Sequence, residues 1–421
     1  MPSTPSTTRS DRLPIAALLI LAAIGFTAIT TELLPSGLLP QISAGFNVSE
    51  PVAGYLTAGY AAVIVVTVIP ASILLARVPR NALLVSLIVT FALSNALIAV
   101  VPSFGPAMGA RLVGGIAHGV LWSTMAPFVA RIVPAYKMGR AMAVVFAGNS
   151  LGLAVGAPVG TALGALLGWR MSFLMLSGVS ILLAVLALWL LPRVRRIPDA
   201  KHPSLRLAIA QPGVKPVAIA WPLLLMAHFA LFTYIAPFSR AAGLPGYAVT
   251  LSLTVLGVAG LVGIWIAGIT VDSRPRRSLI TTTAAIAAAF VLLPFAGLSM
   301  TGAMILLSVW GAGLGAIGIY NQAAILRAGR EHRDAANGLT VLTIQIGIAV
   351  GALYGAGALT AVGPLLLPLA AAVPAFAAFA IVLAGRSHAY PRGPKELRKG
   401  RNVPASDGVL VNAGGASDRQ H

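Results

Sequence analysis

Cysteine is absent from the 421-residue sequence, and charged side chains are scarce. The lack of cysteine excludes disulfides, iron–sulfur clusters and thiol chemistry. Asp, Glu, Lys and Arg make up only 9% of the residues, whereas soluble domains contain about 25%. No Gly-rich loop ending in Gly-Lys-Ser or Gly-Lys-Thr is present, which argues against ATP hydrolysis. The low fraction of charged residues excludes soluble enzymes, nucleic-acid-binding proteins and disordered proteins.

Long apolar runs fill most of the chain, which is 58% hydrophobic. Because a bilayer crossing needs about 20 mainly apolar residues, these runs predict twelve transmembrane helices. The first run is too long for a signal-peptide core and has no cleavage site, so we interpret it as an uncleaved helix. The predicted spans are 14–39, 51–75, 81–101, 105–130, 139–163, 171–192, 217–239, 247–271, 278–298, 302–325, 335–361 and 364–385.

Basic residues occupy alternate gaps between the spans. Of 29 Lys and Arg, all but three lie in the tails and gaps on the side of the N-terminus. The exceptions are Arg170 and Arg240, which lie in loops on the other side of the membrane, and Arg111, which lies within a span. Since cytoplasmic loops carry the excess of Lys and Arg, we expect both termini to be cytoplasmic in a multi-pass protein of the cell (inner) membrane.

The longest gap divides the chain into two halves of six helices. We expect a cytoplasmic tail over 1–13, a bundle over 14–192, a cytoplasmic linker over 193–216, a second bundle over 217–385 and a disordered tail over 386–421. The expected fold class is therefore an all-α membrane protein of two six-helix pseudo-repeats.

An internal repeat supports this division. LGLAVGAPVG at 151–160 and IGIAVGALYG at 346–355 share six of ten residues, and they lie in the fifth helix of each half. The segments LLARVPRNALL at 74–84 and TVDSRPRRSLI at 270–280 match at nearly the same offset. Duplicated parallel halves with a site between them are typical of secondary transporters.

Glycines recur at every fourth position of the fifth span, at 148, 152, 156, 160, 164 and 168. Residues four apart share a helix face, and such small-residue stripes let membrane helices approach closely. Pro158 lies within the stripe and removes a backbone donor. The stripe serves either static packing or a sliding interface. Glycines 347, 351 and 355 repeat it, so we expect the fifth and eleventh helices each to face the opposite half.

GNSLGLAVGAPVGTALG at 148–164 resembles the fifth-helix motif of the drug:proton antiporter branch of the major facilitator superfamily. Gly156, Pro158 and Gly160 carry this match, with Gly152 one turn earlier. The resemblance implies the superfamily fold.

GITVDSRPRRS at 268–278 resembles the superfamily signature between helices two and three, here in the second half. The matching residues are Gly268, Asp272, Arg276 and Arg277. The first-half copy departs from the signature, with Ser72 in place of Gly and Ala76 in place of Asp, while Arg77 and Arg80 remain. We therefore expect an Asp-based latch only at Asp272.

Three further segments resemble the sugar- and arabinose-efflux subgroup: TTELLPSGLLPQISAGFNVSE at 30–50, RLVGGIAHGVLWS at 111–123 and HFALFTYIAPF at 228–238. The resemblance implies alternating access by two rocking halves, driven by the proton gradient, with export of a small molecule. It also implies a role in proton transfer for Arg111, which matches the fourth-helix Arg of the family.

Glu32 and Arg111 are the charged residues that lie well inside predicted spans. A charge at mid-bilayer costs about 3 kcal/mol or more and often marks an ion or substrate pathway. Both residues lie at a similar depth in the outer half, so a coupling pair is one hypothesis. A static neutralising pair, or an Arg111 that reaches the interface, is the alternative.

Other polar side chains lie near mid-depth. His118 and His228, one per half, are candidates to shuttle protons or bind a polar solute, or are satisfied structural histidines. Five further residues either line a mostly apolar cavity or form hydrogen bonds between helices: Trp122, Asn149, Tyr234, Gln345 and Tyr354. The spacing of the histidines predicts no metal site, and no cofactor is assigned.

The leading hypothesis is proton-coupled efflux of a small neutral or amphipathic solute such as a sugar, nucleoside-like metabolite or drug. A proton-linked importer or a uniporter is the alternative. The duplication disfavours a passive channel, and the sparse polar residues disfavour an enzyme. The expected partners are the solute, protons and the lipid bilayer, with no nucleic acid and no obligate protein partner.

Overall fold

The computed structural model describes residues 13–75, 78–192, 194, 205–296, 298–329, 333–385 and 389–390. Over these ranges the regular structure is entirely helical. The helices are α1 (Ile15–Gly37), α2 (Leu39–Phe46), α3 (Glu50–Leu74), α4 (Arg80–Val100), α5 (Phe104–Ile132), α6 (Met138–Leu151), α7 (Ala157–Leu167), α8 (Trp169–Leu190), α9 (Leu205–Ala210), α10 (Val214–Phe232), α11 (Ile235–Ala241), α12 (Ala248–Thr270), α13 (Pro275–Ala296), α14 (Met300–Ala328), α15 (Arg333–Val362) and α16 (Leu367–Ala384).

Twelve helices in the described ranges are long and apolar enough to cross a membrane, which confirms the predicted number. The fifth of them is composite, because the π-helical turn Gly152–Gly156 joins α6 to α7. Single π turns inside α-helices occur frequently at functional sites. Here the turn directly precedes Pro158, which lies in the first turn of α7, where a missing backbone N–H is tolerated.

The first and seventh spans end earlier than predicted, and each is followed by a short helix. The chain turns at Leu38 between α1 and α2, and at Tyr234 between α10 and α11. Pro40 and Pro237 lie in the first turns of the new helices, where proline is tolerated. Hydropathy missed both turns because the residues on either side are apolar.

The predicted tails and linker fall mostly outside the described residues. Of the linker over 193–216, the structure describes residue 194, helix α9 and the start of α10. Of the N-terminal tail, it describes Leu13. Of the C-terminal tail, it describes Ala389 and Tyr390, after a gap that begins beyond Gly385. Residues 76 and 77 of the first-half signature also lie outside the described part.

The glycine stripe packs against α1 of its own half. A β-carbon added at Gly152 would lie 2.9 Å from the Phe26 carbonyl oxygen, and one added at Gly160 would lie 2.5 Å from Leu34 Cδ1. Gly156, between them, meets Thr30. The stripe itself therefore faces its own half, because the glycines allow α6 and α7 to lie directly on α1, and the fifth span meets the opposite half through other residues such as Ala154.

The second half repeats this packing. β-carbons added at Gly347 and Gly351 would lie 2.9 Å from the Pro222 carbonyl oxygen and 2.8 Å from that of Met226. Thus the stripe of α15 packs on α10 as that of the fifth span packs on α1, while another face of α15 packs on α3 of the opposite half, as expected. Pro222 and Met226 are each 196 positions after the first-half residues Phe26 and Thr30, so the duplication extends to individual contacts.

The halves meet along two lines. Ala154, in the π turn, lies so close to α12 that a β-carbon at Gly257 would be 2.5 Å from its Cα. At the end of the bundle that carries α2 and α11, Tyr234 lies against Gly54 of α3, and Glu50 forms an ion pair with Arg240. Contacts at this end therefore hold the two halves together beside the polar cluster described below.

Candidate functional site

Arg111 anchors a polar cluster inside the first half. Its side chain is fully buried on α5, and its guanidinium donates to three backbone carbonyls: Nη1 to Thr31 at 2.8 Å, Nη2 to Glu32 at 3.2 Å and Nε to Leu56 at 3.3 Å. Pro35 explains the shortest of these bonds, since a proline inside a helix leaves the carbonyl four residues earlier without its helical donor. Arg111 thus satisfies the carbonyl that Pro35 frees.

The predicted pairing of Glu32 with Arg111 takes a different form from an ion pair. The guanidinium contacts the backbone of Glu32, whereas the carboxylate Oε2 lies 3.7 Å from Nε2 of His118. Glu32 is only 4% exposed and His118 only 1%. Arg111 supplies positive charge near the carboxylate without binding it, so Glu32 is left with a titratable neighbour.

The hydrogen bonds of His118 define its tautomer. Trp122 Nε1 donates to Nε2 at 2.8 Å, and the Tyr60 hydroxyl lies 3.1 Å from Nδ1. Because an indole N–H can only donate, Nε2 is the acceptor, which assigns the proton of the neutral ring to Nδ1. The Tyr60 ring also lies under the guanidinium of Arg111, 4.1 Å from its Cζ.

Spacing along α5 explains why three of these side chains converge. Arg111, His118 and Trp122 are separated by seven and four residues, so they share one face of the helix. That face is turned towards α1, which brings Glu32, and towards α3, which brings Tyr60. This face therefore carries Arg111, which donates to backbone carbonyls, the titratable ring of His118, and Trp122, which donates to that ring.

Glu32 also reaches the second half. The side chain of Gln345 of α15 lies beside its carboxyl group. Oε1 of Glu32 and Oε1 of Gln345 are both buried without a hydrogen-bond partner. The one carboxyl of the cluster therefore lies where the two halves meet, with spare acceptor capacity on both sides.

Two predicted cavity residues instead tie helices together within the second half. The hydroxyl of Tyr234 is buried and donates to the Ala352 carbonyl at 3.0 Å, and that of Tyr354 donates to the Ala370 carbonyl at 2.9 Å. Both hydroxyl groups thus have a backbone acceptor on another helix, which agrees with the interhelical alternative, and their role in a cavity stays a prediction. Asn149 is half-buried on α6 and stays a candidate.

His228 does not join the cluster. It lies on α10 among Phe229, Phe232 and Trp310, with ring-centroid distances of 4.7, 4.9 and 5.1 Å. Its Nδ1 is buried and has no hydrogen-bond partner. The two predicted histidines therefore have different surroundings, one polar and one aromatic.

The second-half signature forms two contacts. Asp272 pairs with Arg327 of α14 at 3.3 Å, as expected for a latch. Arg276 is buried and donates to the Leu383 carbonyl at 2.9 Å and to the Tyr390 carbonyl at 3.1 Å, so it holds the end of α16.

Gly268 has open space at its Cα, and the backbone carbonyl of Arg277 accepts a hydrogen bond within α13. Burial also raises the pKa of the Tyr390 hydroxyl.

Sequence reasoning missed Tyr60 and Trp310. Both lie in apolar spans, and their importance comes from partners on other helices: His118 and Arg111 for Tyr60, and His228 for Trp310. A tyrosine or tryptophan in a membrane helix carries no signal of its own that distinguishes these positions.

The sequence profile of the Major Facilitator Superfamily matches residues 18–352. A chloramphenicol efflux pump of Mycobacterium tuberculosis is 32% identical over 349 residues, which cover 80% of this chain and 84% of the relative. A probable sugar efflux transporter of Haemophilus influenzae is 28% identical over 357 residues, covering 84% of this chain and 89% of the relative.

Solved structures of a bacterial homologue of the human lysosomal transporter Spinster share the fold. Its inward-facing, unoccupied form superposes with a TM-score of 0.69 at 15% identity, covering 95% of this chain and all of the solved chain. Its inward-facing, occupied form gives a TM-score of 0.70 at 15% identity, covering 87% of this chain and 96% of the solved one. The predicted fold class is thereby confirmed.

Proposed function

Because the chain belongs to the major facilitator superfamily, we propose that this transporter is a proton-coupled exporter of small uncharged or amphipathic solutes. The observation that carries the proposal is the buried carboxyl of Glu32, which lies 3.7 Å from His118 and contacts Gln345 of the other half. A proton taken up at this position changes the charge at the junction of two halves that must move relative to one another.

The position of His118 makes its Nε2 the atom that can share a proton with Glu32, in competition with the Trp122 bond. Nε2 accepts from Trp122, so it faces the Glu32 carboxylate as one acceptor facing another across 3.7 Å. Because Nε2 has a single lone pair, a proton between the two atoms turns this contact into a hydrogen bond only when the Trp122 N–H gives up that lone pair, and loss of the proton restores the Trp122 bond. The bonds of Arg111 to three carbonyls hold α1 and α3 in place while the proton comes and goes.

Gln345 provides the route from protonation to movement. Its amide can donate to an ionised carboxylate and its oxygen can accept from a protonated one, and that oxygen has no other partner. The contact between α1 and α15 therefore depends on the protonation state of Glu32. Rocking of 14–192 against 217–385 follows as the alternating-access step.

The names of the relatives support export and an uncharged solute. One is a chloramphenicol efflux pump and another a probable sugar efflux transporter. The distribution of basic residues favours cytoplasmic termini in the cytoplasmic membrane, with the end that carries α2 and α11 outside. The π turn and Pro158 interrupt the regular helical hydrogen bonding of the fifth span, which lets this span bend during the cycle.

The test is chloramphenicol and arabinose flux in proteoliposomes with an imposed pH gradient. We expect Glu32→Gln to abolish uphill transport, since the amide cannot take up a proton, while solute binding and downhill exchange are retained. Glu396→Gln is the control for the loss of one carboxylate, because Glu396 lies in the predicted C-terminal tail, outside every predicted span. Full uphill transport by Glu32→Gln makes Glu32 structural.

The same assay separates export from the alternatives. An importer accumulates solute against the opposite gradient, and a uniporter equilibrates solute without responding to pH. Either result contradicts the proposed proton-coupled export while leaving the superfamily assignment intact.

A further inference from the structure

Four buried hydroxyl groups at one end of the bundle have no hydrogen-bond partner. Within the described part of the chain they are the only serine and threonine hydroxyls in this condition, and each residue is at most 1% exposed. They belong to corresponding helices of the two halves: Ser36 lies in the last turn of α1, Thr233 directly follows α10, and Thr57 and Ser252 lie in the second turns of α3 and α12. All four therefore lie towards the end that carries α2 and α11.

Buried threonines further along α1 bond to their own helix instead. The hydroxyl of Thr27 donates to the Ala23 carbonyl at 2.9 Å, and that of Thr30 donates to the Phe26 carbonyl at 2.8 Å. Such a bond stays within one helix, so a movement of one half against the other leaves it intact. The four hydroxyls lack this bond, and a buried polar group without a partner raises the free energy of the conformation that buries it.

These hydroxyls flank two contacts between the halves, which we call the closed end. A β-carbon added at Gly37 of α1 would lie 3.0 Å from Leu253 Cδ1 of α12, and Gly54 of α3 lies against Tyr234. Each hydroxyl adjoins one of these four residues or lies one helical turn from it: Ser36 beside Gly37, Ser252 beside Leu253, Thr233 beside Tyr234 and Thr57 one turn from Gly54. Separation of the halves at this end therefore opens the surroundings of all four.

We propose that the four hydroxyls destabilise the closed end and so keep it poised to open. They are without partners while the end is closed, and water supplies partners when the halves separate. A group that interacts differently in two conformations shifts the equilibrium between them. The hydroxyls thus oppose the contacts that hold this end together, among them the ion pair of Glu50 with Arg240. The proposal goes beyond proton-coupled export, since it needs only the alternation of the two halves.

The experiment measures how often the closed end opens. Leu253→Cys places a thiol at the Gly37 contact, where Leu253 is 2% exposed, and the chain has no other cysteine. A water-soluble maleimide reaches this thiol when the end opens, so the alkylation rate follows the open fraction if closing is faster than the reaction. In this background we expect Ser36→Ala, Thr57→Val and Thr233→Val each to slow alkylation about tenfold, the effect of one buried hydroxyl without a partner.

Two controls separate opening of this end from other effects. Thr27→Val removes a hydroxyl whose bond to Ala23 stays within α1, so Leu253→Cys should react at the background rate in this variant. Ala287→Cys replaces the reporter with a thiol buried on α13, which packs on α14 and α16 of the same half. This thiol reports unfolding, so its rate should not follow the hydroxyl variants. Ser252 stays unchanged, because it adjoins the reporter.

The hydroxyl variants decide the outcome. Alkylation at the background rate or faster in the folded variants overturns the proposal, and so does equal slowing by Thr27→Val. A Leu253→Cys background that never reacts also overturns it, because its closed end then does not open at equilibrium. Thermal unfolding identifies a variant that does not fold, and the other two are then compared. The measurement uses neither solute nor pH gradient, so each of these results leaves the proposed proton-coupled export to its own flux assay.

Discussion

Replacing Gly156 is expected to separate the fifth span from α1. A β-carbon at this position would overlap Thr30, lying in contact with its Oγ1 and 3.0 Å from its Cβ. The hydroxyl of Thr30 cannot turn away freely, because it donates to the Phe26 carbonyl at 2.8 Å. Overpacking of this kind costs about 1–3 kcal/mol, so Gly156→Ala should lose that amount and Gly156→Leu more.

A matched pair of variants isolates the contact. Leu153 is on the same span, one turn earlier, with 44% of its surface exposed, so Leu153→Ala leaves no internal cavity and should unfold near the wild-type temperature. Thr30→Ala removes the hydroxyl that a β-carbon at Gly156 meets. The double variant Gly156→Ala with Thr30→Ala should therefore recover part of the loss, with a coupling of about 0.5–3 kcal/mol.

Thermal unfolding followed by the fluorescence of the six tryptophans provides the measurement. Dyes that react with thiols are unsuitable, because the chain has no cysteine. If Gly156→Leu and Leu153→Ala unfold at the same temperature with similar transport, the glycine stripe is not the packing surface described. Absence of any rescue by Thr30→Ala would place the overlap elsewhere.

Further expected outcomes concern the two halves and their contacts. Co-expressed fragments 1–200 and 201–421 should co-purify and transport, because each half packs its glycine-lined span on its own first helix; fragments that never associate contradict this. Glu50→Arg should increase hydrogen exchange at the start of α3, because it removes the ion pair with Arg240, and adding Arg240→Glu should reverse this increase. The effect on stability is small, about 0.2–1 kcal/mol, since the pair is partly exposed.

The sequence by itself determined the number of spans, the repeat and the candidate coupling residues. Twelve spans follow from the length of apolar chain that a bilayer requires. Glu32 and Arg111 stood out because a charge in a membrane span is expensive, and the structure buries both. Pro35 leaves the Thr31 carbonyl without its helical donor, and Arg111 binds that carbonyl. These are properties of single residues or single segments.

Only the tertiary structure decided which side chains meet. It placed the glycine stripe on α1 rather than on the other half, brought the Glu32 carboxyl beside His118 and Gln345, and put the Tyr234 hydroxyl on a backbone carbonyl. In soluble proteins an apolar stripe tells which face of a helix packs inwards. Helices that are apolar on every side give no such indication, so the partners of each face are fixed by side-chain shape and by hydrogen bonds between helices distant in sequence.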